Sequence, residues 1–232
     1  MGRTGIRRAS WLGKLLAFLL VVLVAEPVIL LLIFRFLPVP GTPQMMWSML
    51  DGKGVNYAWS DDLPPFLGKA VIGSEDQNFC SHSGFDWKSI DQAMEAHERH
   101  PAKRLRGAST LSQQTARTLF LMPVRSWARK GMEAYLTVLL EALWPKKRIL
   151  EAYLNLVDWG HGNFGAEAAA RAYFHTDAGR LSRAEAARLA AVLPNPDKWS
   201  AANPGPYVAG RSQLLIARAG EVTRDNLDFC VK

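Results

Sequence analysis

A pair of neighbouring carboxylates, Glu75 and Asp76, is a candidate for acid–base chemistry. Gly and Ser bound the segment, a composition that is also typical of an exposed turn. The bulky Phe79, His82 and Phe85 follow closely and could shield the carboxylates from water. A partly shielded carboxylate can act as a general base, which removes the proton from an attacking hydroxyl group.

A second candidate site is the polar segment GASTLSQQ at residues 107–114. It leads into a predicted helix, and the first backbone N–H groups of a helix have no partners within it. Those groups, with the side chains of Ser109 and Gln114, suit an anion such as a diphosphate. The alternative is an ordinary Ser/Thr helix cap followed by surface glutamines.

Basic residues follow this segment at Arg117, Arg125 and Lys130, with Glu133 as the nearby carboxylate. Arg129 lies one helical turn before Glu133, so an ordinary i,i+4 ion pair is one interpretation. Fixed positive charge also stabilises a departing phosphate group. The cluster is therefore a candidate binding site for a diphosphate leaving group.

The pattern after residue 65 predicts helices almost throughout. Ser182 and Glu185 form a predicted capping box before an alanine- and leucine-rich helix. No strand signal of comparable strength appears, so we expect a mostly α fold. Further helices are predicted from Asp86 to before Pro101, from Ser109 or Thr110 to Leu119, from Arg125 to Leu143, and from Pro206 toward Asn226.

Residues 15–34 form an apolar segment whose only charge is Glu26. A helix of this length spans about 30 Å, the thickness of a bilayer's hydrocarbon core. Only basic charges precede it, which favours a cytoplasmic N-terminus; a signal peptide cleaved after Ala25 is the alternative. We expect a cytoplasmic basic tail at 1–14, a transmembrane helix at 15–36, a linker at 37–62 and an exported domain at 63–232.

The net charge of +7 in 232 residues is concentrated near the apolar segment, so it gives little support to a nucleic-acid partner. The histidines have no spacing typical of a zinc site. Cys80 and Cys230 would meet an oxidising compartment if the domain is exported, so a disulfide is possible. Nothing in the sequence shows that the two cysteines approach each other.

In their order, these motifs resemble those of the peptidoglycan glycosyltransferases of family 51, most closely the monofunctional biosynthetic type. The resemblance covers residues 63–210, and too few residues follow for the transpeptidase domain of bifunctional relatives. The matching segments are EDQNFCSHSGFDW at 75–87, GASTLSQQTARTLF at 107–120, RSWARKGMEAY at 125–135, KKRILEAYLN at 146–155, AAARAYF at 168–174 and EAARLAAVLPNP at 185–196.

The resemblance implies a lysozyme-like helical domain with a small membrane-associated lobe, anchored in the bacterial inner membrane and facing the periplasm. It implies polymerisation of lipid II into β-1,4 glycan strands. The chain growing on undecaprenyl diphosphate is the donor, and the GlcNAc 4-hydroxyl of a new lipid II attacks with inversion. The implied partners are lipid II, the lipid-linked glycan chain, the membrane and other cell-wall synthesis proteins.

By motif position, the resemblance makes Glu75 the general base and Asp76 a structural support. It places Glu133 near the donor diphosphate, where a divalent cation, Mg²⁺ or Mn²⁺, is possible although no motif requires one. Ala108 and Thr118 depart from the usual Gly and Asn, and Arg117 replaces the usual Lys. The positions implied to contact the donor or its phosphates are Ser109, Gln114, Arg117, Arg125 and Lys130.

Two other functions stay open at this stage. A lysozyme-like hydrolase or lytic transglycosylase would use Glu75 as an acid on finished glycan. That reaction expels a sugar oxygen, so the cationic cluster would have no obvious use. A catalytically inactive scaffold of a cell-wall complex disagrees with the presence of both Glu75 and Glu133.

Overall fold

The computed structural model describes residues 4–100, 108–124 and 126–232, and the chain divides into two compact units. The first unit, Met1–Pro38, contains helices α1 (Thr4–Leu20) and α2 (Glu26–Phe34), joined by a π-helical turn at Val21–Ala25. In this wider turn, the N–H of Glu26 donates to the carbonyl of Val21. The turn directly precedes Pro27, whose nitrogen has no hydrogen to donate.

Trp11–Phe34, with 24 residues, is long and apolar enough to cross a membrane. It is the only helix of this kind in the described part of the chain. The segment begins somewhat before the predicted transmembrane helix at 15–36 and includes almost all of it. Length and composition therefore agree with a single membrane anchor.

The second unit, Val39–Lys232, is mostly helical, as the sequence predicts. Its strands β1 (Asn56–Tyr57) and β2 (Asn163–Phe164) are short and run parallel. Its helices are α3 (Pro43–Leu50), α4 (Pro65–Glu75), α5 (Trp87–Arg99), α6 (Leu111–Phe120), α7 (Trp127–Leu143), α8 (Lys146–Leu156), α9 (Ala166–Phe174), α10 (Arg183–Val192) and α11 (Pro206–Arg224), with 3₁₀ turns at Phe79–Ser81 and Ala178–Arg180.

Several helix starts confirm the local predictions. Asp86 accepts a backbone hydrogen bond at the start of α5. Thr110, one of the two residues proposed, caps α6 within a capping box. Ser182 and Glu185 form the predicted capping box of α10. Each of these signals depends on residues within a single turn, which is why the sequence reveals them.

Residues 37–62, predicted to be a linker, mostly belong to the second unit. Thr42 caps α3 by accepting the N–H of Met45, and Pro43 starts the helix with a favourable φ. The partner of β1 is β2, and the side chains of Asn56 and Asn163 also hydrogen bond across 107 residues. Neither a single cap nor a distant strand produces hydrophobic periodicity, so the sequence pattern resembles a linker.

The core behind the candidate site is formed by α4, α10 and α11, which pack against one another. Fully buried residues of α4 include Leu67, Val71 and Ile72, and α10 contributes small buried alanines. Gly73 allows α11 to come close, because a Cβ at this position would lie 3.2 Å from the Cβ of Arg218. The end of α4 is therefore held tightly against α11.

A disulfide joins Cys80 to Cys230 across 150 residues, with the Cα atoms 5.4 Å apart. The sequence left this pairing open, and the structure assigns it. It attaches the C-terminal segment after α11 to the loop that follows Glu75. The loop is thus held covalently from the far end of the chain.

Candidate active site

Glu75 is the last residue of α4, and its side chain is 17% exposed. The Ser74 hydroxyl donates to Oε1 of Glu75 at 3.0 Å, and Nε2 of Gln114 donates to Oε2 at 3.4 Å. Nη2 of Arg211, from α11, lies 3.9 Å from Oε1. The carboxylate is therefore oriented by α4, α6 and α11, yet it is still accessible to a substrate.

Asp76 has a different environment, although it is the next residue. It is 6% exposed, and its Oδ2 accepts the N–H of Leu111 at 2.8 Å at the start of α6. Nε2 of His82 lies 3.0 Å from Oδ1 of Asp76, while Nδ1 accepts the N–H of Gly84. An accepting Nδ1 leaves Nε2 as the donor to Asp76. These contacts join the loop to α6, in agreement with a structural role.

Glu133 lies within α7 and is fully buried. Arg129 donates to Oε2 of Glu133 at 2.8 Å, which confirms the i,i+4 ion pair. Lys130 pairs with Oε1 and also donates to the hydroxyl of Ser109 at 3.3 Å. One carboxylate thus holds two cations in place, and the cluster keeps a net positive charge that suits a phosphate.

These contacts connect most of the predicted site residues. Nε2 of Gln114 also donates to the carbonyl of Ser109 at 3.4 Å. Hydrogen bonds therefore run from Glu75 through Gln114, Ser109 and Lys130 to Glu133. Gln114 lines a pocket of about 320 Å³, and Glu75 and Ser109 line another of about 330 Å³. The hydrogen bond between Glu75 and Gln114 thus joins residues from two pockets that could each hold a substrate.

Two predicted cations remain, Arg117 and Arg125, and the structure describes only Arg117. Arg117 lines the pocket on the Gln114 side and forms no ion pair with a carboxylate among the described residues. Thr118, where the family usually has Asn, donates to Oε1 of Gln44 in α3 at 3.4 Å. Arg125 lies outside the described residues.

Of the bulky residues expected to shield the two carboxylates, His82 contacts Asp76, and the contacts described for Phe79 and Phe85 are with other residues. The ammonium group of Lys146 lies 4.5 Å from the ring centre of the buried Phe79. His82 pairs with Asp76, as described above. Phe85 stacks on Trp87 with the ring centres 5.6 Å apart. The polar contacts of Glu75 come from side chains of α4, α6 and α11.

Tyr153, Ser74 and Arg211 contact the site although sequence analysis did not select them. The Tyr153 hydroxyl donates to Oε1 of Gln114 at 3.2 Å. Burial, reinforced by the negative charge of Glu75, raises the pKa of Tyr153 well above 10, so the hydroxyl keeps its proton. Tyr153 lies in the matching segment at 146–155, which was an available signal. Arg211 lies just beyond the matched region and carried none.

A family model described as Transglycosylase matches residues 45–219. The chain belongs to the Transglycosylase family. A biosynthetic peptidoglycan transglycosylase of Caulobacter vibrioides is 46% identical over 233 residues, which cover 100% of both chains. Proteins of the same name from Rhodospirillum centenum and Pseudomonas aeruginosa are 47% and 50% identical, covering 97% and 87% of this chain and 95% and 90% of theirs. The family match begins inside the segment predicted to be a linker.

A divalent cation beside Glu133 stays a prediction. Among the described residues, no group of three or more His, Cys, Asp or Glu side chains could hold a metal ion. Both oxygens of Glu133, the carboxylate that the resemblance places beside a diphosphate, already pair with Arg129 and Lys130. A cation at this carboxylate would therefore share it with Arg129 and Lys130.

Proposed function

We propose that this protein polymerises lipid II into β-1,4 glycan strands, as a monofunctional peptidoglycan glycosyltransferase. The observation that carries the proposal is the hydrogen-bonded path from Glu75 to the Lys130–Glu133 ion pair. This path joins the partly exposed Glu75 carboxylate to a cationic centre, which supports a role in the attack of a hydroxyl on a diphosphate-linked sugar. Family membership and the names of the relatives point to the same chemistry.

Glu75 accepts the proton of the acceptor's GlcNAc 4-hydroxyl as that oxygen attacks C1 of the donor MurNAc. The new C–O bond forms opposite the breaking bond to the diphosphate oxygen, so an α-linked donor yields a β-1,4 product. The electron pair of the broken bond leaves with undecaprenyl diphosphate. Arg117 and Ser109 line the two pockets, Lys130 donates to the Ser109 hydroxyl, and these groups stabilise the charge that develops there. The resemblance gives Arg125 the same role by motif position.

For the membrane arrangement, we propose that the apolar helix crosses the bacterial inner membrane once, with the N-terminus in the cytoplasm and the second unit in the periplasm. Basic residues before the helix support this orientation. The Cys80–Cys230 disulfide supports it independently, because disulfides persist in oxidising compartments. A periplasmic reporter enzyme fused after Lys232 should be active, and an active cytoplasmic reporter at that position would reverse the topology.

The decisive experiment uses the purified full-length protein in detergent with lipid II. We expect glycan polymer from the wild type and from Glu98→Gln, a control at an exposed position of α5. Glu75→Gln should lower the rate by about 10²- to 10⁴-fold, the usual contribution of a positioned base. Absence of polymer from folded wild type would contradict the proposal, and degradation of added finished glycan would indicate a hydrolase.

The same assay tests the metal question. We propose that the cationic side chains are sufficient, so polymer should form in the presence of EDTA. Mg²⁺ or Mn²⁺ added to parallel reactions reports any dependence of the rate on a divalent cation. Complete loss of activity in EDTA, restored by either metal, would show that the side chains alone are not enough.

A further inference from the structure

Helix α11 follows the last of the motifs quoted above. It contacts the end of α4 at Ser74 and at Glu75, the proposed base. Nη2 of Arg211 donates to the Ser74 hydroxyl oxygen at 2.9 Å and lies 3.9 Å from Oε1 of Glu75. The Arg211 side chain is only 21% exposed. A guanidinium this buried needs a negative charge nearby, and Glu75 is its ion-pair partner among the described residues.

The direction of these hydrogen bonds shows how Arg211 acts on Glu75. A serine hydroxyl has one hydrogen to donate and lone pairs to accept with. Arg211 occupies a lone pair of the Ser74 oxygen, and the hydrogen of Ser74 then points to Oε1 of Glu75 at 3.0 Å. Arg211 therefore acts on Glu75 both through the Ser74 hydroxyl and through direct attraction between the charges.

A second arginine on the same face of α11 fixes the helix at this place. Arg218, two helical turns after Arg211, donates to the carbonyl of Gly73 at 3.3 Å. Gly73 has no Cβ, and one placed there would be 3.2 Å from the Cβ of Arg218. The consecutive residues Gly73, Ser74 and Glu75 are thus all held by α11. A cation beside the last carbonyls of α4 is also favourable for the helix dipole.

We propose that Arg211 is a positioning residue for the reaction: acting through Ser74, it holds the Glu75 carboxylate in the orientation that accepts the proton of the attacking hydroxyl. This inference rests on the proposed function. Without Arg211, the Ser74 hydroxyl can rotate, and Glu75, the last residue of α4, loses its constraint on one oxygen. Misplacement of a base by about 1 Å can cost about 10²-fold in rate.

The test compares kcat and KM for lipid II in the full-length protein. Arg211→Met keeps the length of the side chain and removes its charge, and it should lower kcat by about 10- to 100-fold with little change in KM. Arg211→Lys retains a donor and a charge and should recover part of the loss. Arg224→Met, at an exposed site near the end of the same helix, should match the wild type.

A double mutant separates positioning from a purely structural role. If Arg211 acts through Ser74, adding Ser74→Ala to Arg211→Met should lower kcat little further, although each single change lowers it. Wild-type kcat in folded Arg211→Met would overturn the inference. So would a loss of activity that follows only the loss of thermal stability and is not recovered by Arg211→Lys.

Ser74→Ala covers the case in which Arg211→Met does not fold. Alanine is well tolerated in a helix, so this variant should fold, and it should lower kcat by about 5- to 10-fold if the hydroxyl orients Glu75. Unchanged kcat in Ser74→Ala would reject the inference while the wild type still makes polymer. Absence of polymer from the wild type would instead reject the proposed function.

Discussion

Glu75 and Glu133 are the two glutamates of the site, and the structure holds them in opposite ways. The partners of the fully buried Glu133 come from its own helix, three and four residues earlier. Glu75 is partly exposed, and its partner Gln114 lies 39 residues away. Arg211 reaches the neighbouring Ser74 across 137 residues.

The difference indicates that Glu75 and Glu133 have different roles. Both oxygens of Glu133 pair with cations, so this carboxylate holds Arg129 and Lys130 in place. Glu75 has one short and one long hydrogen bond and a nearby guanidinium, which leave it room to contact an attacking hydroxyl. The local network supports the site, and the long-range network positions the reactive group.

The largest expected effect is a separation of activity from stability at Glu75. Glu75→Gln should lower kcat by about 10³-fold, because the amide cannot act as the base. Its free energy of unfolding should change by less than about 0.5 kcal/mol, since the residue is partly exposed. Rates with lipid II and thermal unfolding, measured on one preparation, check both. Near-normal kcat, or a large loss of stability, would remove the contrast with Glu133.

Loss of the disulfide should have the next largest effect. Of the two glutamates, the disulfide supports only Glu75, through the loop that follows it. Replacing both cysteines by serine releases a link across 150 residues and should reduce the free energy of unfolding by about 3 kcal/mol. Denaturant unfolding of the wild type under oxidising and reducing conditions should show the same difference. Equal stability of the oxidised wild type and the double variant would show that the loop after Glu75 needs no covalent support.

Glu133→Gln, unlike Glu75→Gln, should lower the stability of the fold. It leaves Arg129 and Lys130 without a counter-charge and should reduce the free energy of unfolding by about 2 kcal/mol, a value lowered because both cations are partly exposed. Glu95→Gln is the matched control: it removes an exposed i,i+4 pair with Arg99 and should cost less than about 0.5 kcal/mol. Equal stability of the two variants would contradict the supporting role of Glu133.

A smaller effect is expected at Tyr153. Tyr153→Phe removes the hydrogen bond that orients Gln114, worth about 1 kcal/mol, so kcat should fall by about 5-fold. Tyr207→Phe, on an exposed ring stacked on Trp199, serves as the control. If both variants keep the wild-type kcat, the amide of Gln114 does not depend on Tyr153 for its orientation.

The smallest effect concerns pH. Burial raises the pKa of Tyr153 well above 10 and that of Tyr57 to about 12, so the folded chain keeps protons that the unfolded chain releases near pH 10. The unfolded state then binds fewer protons, and the free energy of unfolding should fall as the pH rises above 10. Chemical denaturation at pH 8 to 11 checks this, and Tyr57→Phe should weaken the decrease. A flat profile in the wild type would be inconsistent with buried tyrosines.

Sequence analysis could predict those parts of the fold and site that depend on near neighbours in the chain. Ser182 with Glu185 at the start of α10, and Arg129 with Glu133 in α7, lie within one turn and are found where expected. The motif order also led to the family. The folded part of the segment at 37–62 was missed, because β1 is paired by a strand 107 residues away.

The sequence by itself therefore determined the apolar anchor, the helical character, the family and the residue types available for chemistry. The anchor and the helical character follow from composition, from helical periodicity and from contacts within a turn, which are local properties, and the family follows from the resemblance of the ordered motifs. Only the tertiary structure decided that Cys80 meets Cys230 and that Tyr153 and Arg211 reach Glu75, the proposed base, through Gln114 and Ser74. Such contacts depend on how α4, α6, α8 and α11 pack, and side chains brought together by packing leave no periodic pattern along the chain.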